Sequence, residues 1–99
     1  MAKTTITWTN QAEFWLKEIF DYIAIDNPTA ATSVVNGIYA KAQLLERNPE
    51  LGYQYHHESE LNIRILLYGH YRITYLIKDQ GDIEILGVFH GALEIERYL

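Results

Sequence analysis

The chain has 99 residues, no Cys, and a net charge of −5 from 13 acids against 8 Lys plus Arg. That length suits one domain, 1–99, with a single core, and the lack of Cys excludes a disulfide framework, a thiolate nucleophile and a thiolate metal site. The acidic balance argues against a broad nucleic-acid surface, because neutralised phosphates supply most of the affinity of such surfaces.

Thr4 to Trp8 (TTITW) is β-branched and alternating, the pattern of a strand. The opening MAKTTITWTN lacks the apolar stretch of a signal peptide, and no apolar run approaches the roughly 18 residues of a membrane span. The expectation is a cytoplasmic protein with no membrane partner and no cofactor. Asn10 reads as a helix cap, with Glu13 completing a capping box. From Gln11 to about Ile25, Ala12, Trp15, Leu16, Ile19, Tyr22 and Ile23 recur at steps of three and four, so the spacing predicts an amphipathic helix over 11–25. Asp26-Asn27-Pro28 ends it and opens a second helix, 28–47, with Asn27 as cap and Pro28 at the first helical position. Ala31, Val34, Val35, Ile38, Ala42 and Leu45 mark its apolar face, and Asn48-Pro49 stops it. So short a link folds the two helices back as a hairpin.

A polar loop, 49–60, carries Tyr53 and Tyr55. Three β-rich runs follow, near 61–68, 71–78 and 83–90, with turns at Gly69-His70 and Asp79-Gln80-Gly81-Asp82. Residues 91–99 read as a short helix or a tail. The order β-α-α-β-β-β predicts an α+β fold, an antiparallel helical hairpin packed on one face of a mainly antiparallel sheet.

Arg64 and Arg72 interrupt two of the apolar strands and His90 ends the third. Side chains alternate along a strand. If Ile63, Ile65, Leu67, Ile73, Tyr75, Ile77, Ile83, Ile85 and Phe89 face the helices, then Arg64, Arg72, Thr74, Lys78, Glu84 and His90 gather on the helix-free face. A two-residue turn at Gly69-His70 would pair Leu67 with Arg72 and shift the faces. A three-residue loop with a bulge keeps the arginines together, and it is preferred because burying an unpaired Arg costs several kcal/mol in practice. Leu66, Leu76, Leu86 and Val88 would then lie among the arginines. Apolar surface mixed with Arg, together with the loop residues Tyr53 and Tyr55, forms the expected partner-binding surface.

With those residues in view, the chain resembles the RelE/ParE superfamily of toxins from type II toxin–antitoxin systems, also called plasmid stabilisation proteins. The resemblance rests on FDYIAIDNP, LLERNPELG, the Arg64 strand, Tyr71-Arg72-Ile73-Thr74-Tyr75 and Ile85-Leu86-Gly87-Val88-Phe89-His90-Gly91, in that order and spacing. It implies a compact toxin held inactive by a cognate antitoxin, as a dimer or as a heterotetramer with it. Two activities are implied by the superfamily. RelE-like members enter the ribosome and cleave messenger RNA without a metal, and Arg72, His90 and Arg64 would be the catalytic candidates. ParE-like members inhibit DNA gyrase. Leu93 and Glu94 stand where the superfamily often has a basic residue and an acid soon after the last-strand His. That substitution and the acidic charge rank gyrase inhibition above the ribosome and messenger RNA. An inactive or binding-only member is the third reading.

Plainer roles stand beside these. Arg72 can pair with Glu84 across the sheet, and Arg64 with an acid of residues 58–60, each such pair being worth only about 0.2–1 kcal/mol. His56-His57 are adjacent, diverge in extended chain and lack a companion carboxylate pattern, so no metal is expected. Trp8, Trp15 and Phe20 are expected in the core.

Overall fold

The computed structural model describes residues 4–55 and 60–91. The first strand, β1, is Ile6–Trp8. Helix α1, Asn10–Ala24, is capped by Thr9, whose Oγ1 accepts from the Ala12 amide at 3.0 Å. Asn10, expected as the cap, is the first helical residue instead. Thr9 holds that place from two sides: its Oγ1 donates to Ile85 O at 2.9 Å, and its amide donates to the same carbonyl. Helix α2, Pro28–Gln43, begins as expected, with Asn27 Oδ1 accepting from the Ala30 amide at 3.0 Å. It tightens into a 3-10 turn, Leu44–Glu46, short of the expected end at 47. The remaining strands are β2 (Tyr53–Gln54), β3 (Asn62–Tyr68), β4 (Tyr71–Ile77) and β5 (Ile83–His90).

These form one five-stranded sheet in the order β1-β5-β4-β3-β2. It is antiparallel except where β1 runs parallel to β5 at one edge, Ile6 opposite Ile83 and Trp8 opposite Ile85. β2, which the polar loop conceals, adds two residues to β3 at the other edge. Both helices pack on one face. Ala12, Leu16, Ile38, Ala42 and Leu45 meet Leu66, Ile73, Tyr75, Ile83, Ile85 and Val88 there in one buried cluster. Burying a large apolar side chain contributes roughly 1.5–3 kcal/mol, so this cluster is the main source of stability.

The register differs from the preferred expectation and follows the alternative. Tyr68 faces Tyr71 and Leu67 faces Arg72 across a two-residue turn, with Gly69 at φ 57°. Glycine at the first central position is what a type II′ hairpin turn needs. The irregularity sits in β5 instead: Gly87 opposes Thr74 and Ile85 opposes Tyr75, leaving Leu86 as the extra residue of a bulge. Two corrections follow. The helix face carries Arg64, Leu66, Val88 and His90, whereas Ile63, Ile65, Leu67 and Phe89 lie on the second face with Arg72 and Thr74. That second face has its own small buried cluster, Ile65 and Phe89 with Trp15 and Tyr55 packed against them. Thus apolar side chains are buried on both faces, and alternation alone could not tell which face the helices cover.

Candidate functional site

Arg64 sits at the end of the helix face nearest residues 49–52. Its Nη1 donates to Gly52 O at 2.8 Å and to Glu50 O at 3.3 Å. Its Nη2 lies 3.9 Å from the Glu50 carboxylate. Beside it, Tyr75, opposite Arg64 across β3 and β4, donates from its hydroxyl to Pro49 O at 2.7 Å and accepts from the Gly52 amide at 2.9 Å. Burial pushes the Tyr75 hydroxyl above its ordinary pKa, against the opposing pull of the Gly52 N–H and the Arg64 charge. Gly52 is buried because nothing larger fits: a Cβ there would lie 2.6 Å from Ile65 O and 2.9 Å from Tyr75 Cε1. Arg64 is therefore a loop anchor. Its nearest acid among the described residues is Glu50; of the expected acids in 58–60, Glu58 lies outside the described residues. An Arg is tolerated on the helix face because backbone carbonyls solvate its guanidinium in place of water.

Arg72 occupies the second face, opposite Leu67 and Phe89, and its Nη2 donates to Gly91 O at 3.3 Å. The expected Arg72–Glu84 pair is replaced by Lys78–Glu84 at 3.2 Å, and Glu84 stands opposite Leu76, four positions along β4 from Arg72. The three candidates of the sequence are thus divided. Arg64 and Arg72 lie on opposite faces, and Arg64 lies at the far end of β3 from the turn that brings Arg72 toward His90.

His90 ends β5 on the helix face, opposite Tyr71, with the two rings edge-on and their centroids 5.7 Å apart. Here a groove of about 500 Å³ opens between α1 and the sheet. Trp15, Ile19, Tyr22, Tyr71 and Val88 form its apolar walls, with Glu18 and His90 at its polar margin. Burial, and then the neighbouring Tyr22, push the Tyr71 hydroxyl above its ordinary pKa. The groove continues onto exposed helix surface: Tyr22 is 78% exposed and Ile25 80%. β1 pairs with β5 only at residues 83–85, so the stretch of β5 that bounds the groove lies past the last β1 contact.

Of the expected partner-binding residues, Tyr53 is exposed on the edge strand β2, while Tyr55 packs on Ile65 and Phe89. Leu76 and Leu86 are half-buried. Leu66 belongs to the core beneath the helices, a correction that follows from the register. Trp15 spans the groove and the second-face cluster, its ring 5.1 Å from that of Phe89, while Trp8 packs on Tyr39. Of these groove residues, Trp15 is expected from the sequence in the core, and Ile19 and Tyr22 only on the apolar face of the first helix. The signal for a second role was present: Phe14, Tyr22 and Ile25 form an apolar stripe on α1 outside the single face that a core helix needs. His70, in the β3–β4 turn, was read only as a turn residue. Leu93, Glu94 and His56-His57 lie outside the described residues. Among the described residues no group of three or more His, Asp or Glu could hold a metal, and no helix is long and apolar enough to cross a membrane.

Comparison with known proteins gives this geometry a setting. The family model described as the ParE toxin of the type II toxin–antitoxin system parDE matches residues 6–94. Among solved structures, the chromosomal ParDE toxin–antitoxin system of P. aeruginosa aligns at TM-score 0.72 with 22% identity, over 88% of this chain and 95% of that one. The toxin–antitoxin complex RelBE2 of Mycobacterium tuberculosis aligns at TM-score 0.60 with 24% identity, over 90% and 99%. The YoeB dimer of Staphylococcus aureus aligns at TM-score 0.51 with 23% identity, again over 90% and 99%. No curated protein matches the chain.

Proposed function

The chain belongs to the ParE toxin family of type II toxin–antitoxin systems, and from that premise we propose that it inhibits DNA gyrase and that a cognate antitoxin silences it by filling the groove between α1 and the sheet. The observation that carries the choice of target is the separation of the arginines. Cleaving RNA through its 2′-hydroxyl needs a base, an acid and a cation converging on one phosphate. Arg64 is committed to the 49–52 loop on one face, and Arg72 lies on the other. A net charge of −5 supports the same choice, since ribosome entry demands wide contact with RNA phosphate.

The antitoxin's place is supported by the groove's chemistry. Tyr22 and Ile25 are large apolar side chains left exposed beside Trp15, Tyr71 and Val88. An apolar segment laid there would bury them, and a partner of standard size would cover roughly 800 Å² of this chain. Acidic residues flank the stripe on α1 (Glu13, Glu18, Asp21), so basic residues are expected beside the partner's apolar anchors. Tyr53 on β2 offers a second point of contact.

Induced expression tests the target. The expected result is loss of gyrase supercoiling, filamentous cells and a DNA-damage response, while translation continues at first. Rapid translation arrest with cleaved messages and untouched gyrase would instead establish the RelE-like reading, which the joint placement of Arg72 and His90 on one cavity favours. No growth effect would establish the binding-only reading. Co-purification with the product of the neighbouring gene tests the partner. Tyr22→Glu should abolish capture without unfolding, and the mass of the complex separates a one-to-one pair from a heterotetramer.

A further inference from the structure

The loop that Arg64 and Tyr75 anchor presents a surface at the opposite end of the sheet from the groove. Leu44, in the 3-10 turn, is 50% exposed, and Leu51, in the loop, is 46% exposed. Between them in the chain stand Arg47 and Asn48, which two adjoining hollows share. One, of about 390 Å³, reaches Leu44, and the other, of about 360 Å³, reaches Leu51. Arg47 is exposed, and its guanidinium has no partner among the described residues. The acids beside it are engaged elsewhere: Glu46 accepts from Gln43 Nε2, and the Glu50 carboxylate lies 3.9 Å from Arg64. The frame beneath these side chains is fixed. The Asn48 amide donates to Leu44 O at 3.2 Å, and the Leu51 amide donates to Asn48 O at 3.0 Å across a reverse turn with Pro49 at its second position. From the sheet, Tyr75 holds Pro49 O, and Arg64 holds the carbonyls of Glu50 and Gly52. A surface ordered before contact loses little freedom on binding.

We propose that this surface grips the toxin's target, and that the target meets it with a protein face carrying a carboxylate among apolar side chains. The proposal rests on the reading of the chain as a toxin aimed at a protein. An exposed guanidinium without an ion pair, on a chain of net charge −5, steers an acidic partner to this end while the rest of the surface repels it. Its planar fork matches a carboxylate. The flanking leucines supply the apolar surface, and Arg is enriched in the centres of protein interfaces. One guanidinium between two leucines does not suit nucleic acid, which demands several cations for its phosphates. Target and antitoxin therefore have separate seats. Tyr53, the antitoxin's second point of contact, is two residues past Leu51. An antitoxin that reaches Tyr53 crowds the target off, which accounts for silencing by a partner seated mainly in the groove.

The test titrates the purified full chain against purified DNA gyrase, with binding and supercoiling as readouts, beside capture by the antitoxin. The double variant Arg47→Glu with Leu51→Ser changes two exposed side chains. It should weaken gyrase binding about tenfold or more, with its urea midpoint and its capture by the antitoxin unchanged. Tyr22→Glu should do the reverse, losing capture and keeping gyrase. Gyrase binding by the double variant as tight as that of the parent chain overturns the proposal. So does an equal loss of antitoxin capture, which would make this surface part of the antitoxin's seat. If the parent chain neither binds nor inhibits gyrase, the choice of gyrase falls by itself, and growth inhibition on induced expression decides: loss of toxicity in the double variant upholds the surface, and full toxicity overturns it. A parent chain without toxicity has no target, and overturns the proposal together with the toxin reading.

Discussion

The two ends of the sheet use arginine in opposite ways. At the 49–52 end, Arg64 is 17% exposed in its side chain and surrounded by carbonyls of the loop it holds. At the turn end, Arg72 shares an open cavity with two histidines and two glycines. The first arginine closes a structure and the second lines an opening. A charge in an apolar strand is thus not a functional signal by itself; what surrounds its head group decides. Where backbone acceptors already meet the guanidinium, its role is to replace solvent for a loop.

That contrast is breakable by mutation, and the largest effect is expected at the anchor. Gly52→Val forces a side chain against Ile65 O and the Tyr75 ring, neither of which has room to move, and should cost about 3 kcal/mol in urea unfolding. Next comes Tyr75→Phe, which strands the buried Gly52 amide and frees Pro49 O; a loss of about 2 kcal/mol is expected. If Tyr75→Phe proves neutral, the loop is not held from the sheet and Arg64 loses its assigned role.

Alkali provides a milder probe. The raised Tyr75 hydroxyl means the folded chain keeps its proton after the unfolded chain has lost one. The associated stability is fully present below about pH 10, the unfolded tyrosine value, and falls as pH rises above it. Tyr39 and Tyr71 are raised as well and act in the same direction. Urea midpoints at pH 8, 9.5 and 11 should therefore be flat and then drop, with a shallower drop in Tyr75→Phe. The smallest effect belongs to the opposite end. His70→Gln, in an exposed turn, should change stability by less than about 0.5 kcal/mol. A larger loss would make the two ends alike and remove the contrast.

Much of this was legible before the fold was known. The switch from steps of three and four to alternation near residue 60 fixes two helices and three strands, and Asn27-Pro28 marks the helix junction to the residue. What alternation cannot carry is which face a strand turns inward when both faces are buried. Ile63, Ile65 and Leu66 are all buried within four positions of β3, so the pattern has no parity to read. Leu86 then resets the parity of β5, moving Phe89 to one face and His90 to the other, and nothing in ILGVFH announces an extra residue. The desolvation cost of Arg argued for the wrong register because the carbonyls of 50 and 52 belong to a loop whose path the sequence does not display. Likewise β2 is too short to produce any periodicity. The groove was half legible: Trp15, Ile19 and Tyr22 stand out as apolar on the first helix, whereas Val88, expected on the helix-free face, lies on the helix face with them.

β1 joins the sheet only through β5, with Ile6 opposite Ile83, and Thr9 bonded to Ile85 O across 76 positions. This contact sets a timetable during synthesis. β1 has no strand to pair with until β5 has left the ribosome. The tether that fixes Thr9, the cap of α1, to the sheet waits for the same carbonyl. Long-range pairing of this kind is slower than local pairing. The groove, with one wall from α1 and the other from β4 and β5, is therefore complete only once β5 is in place.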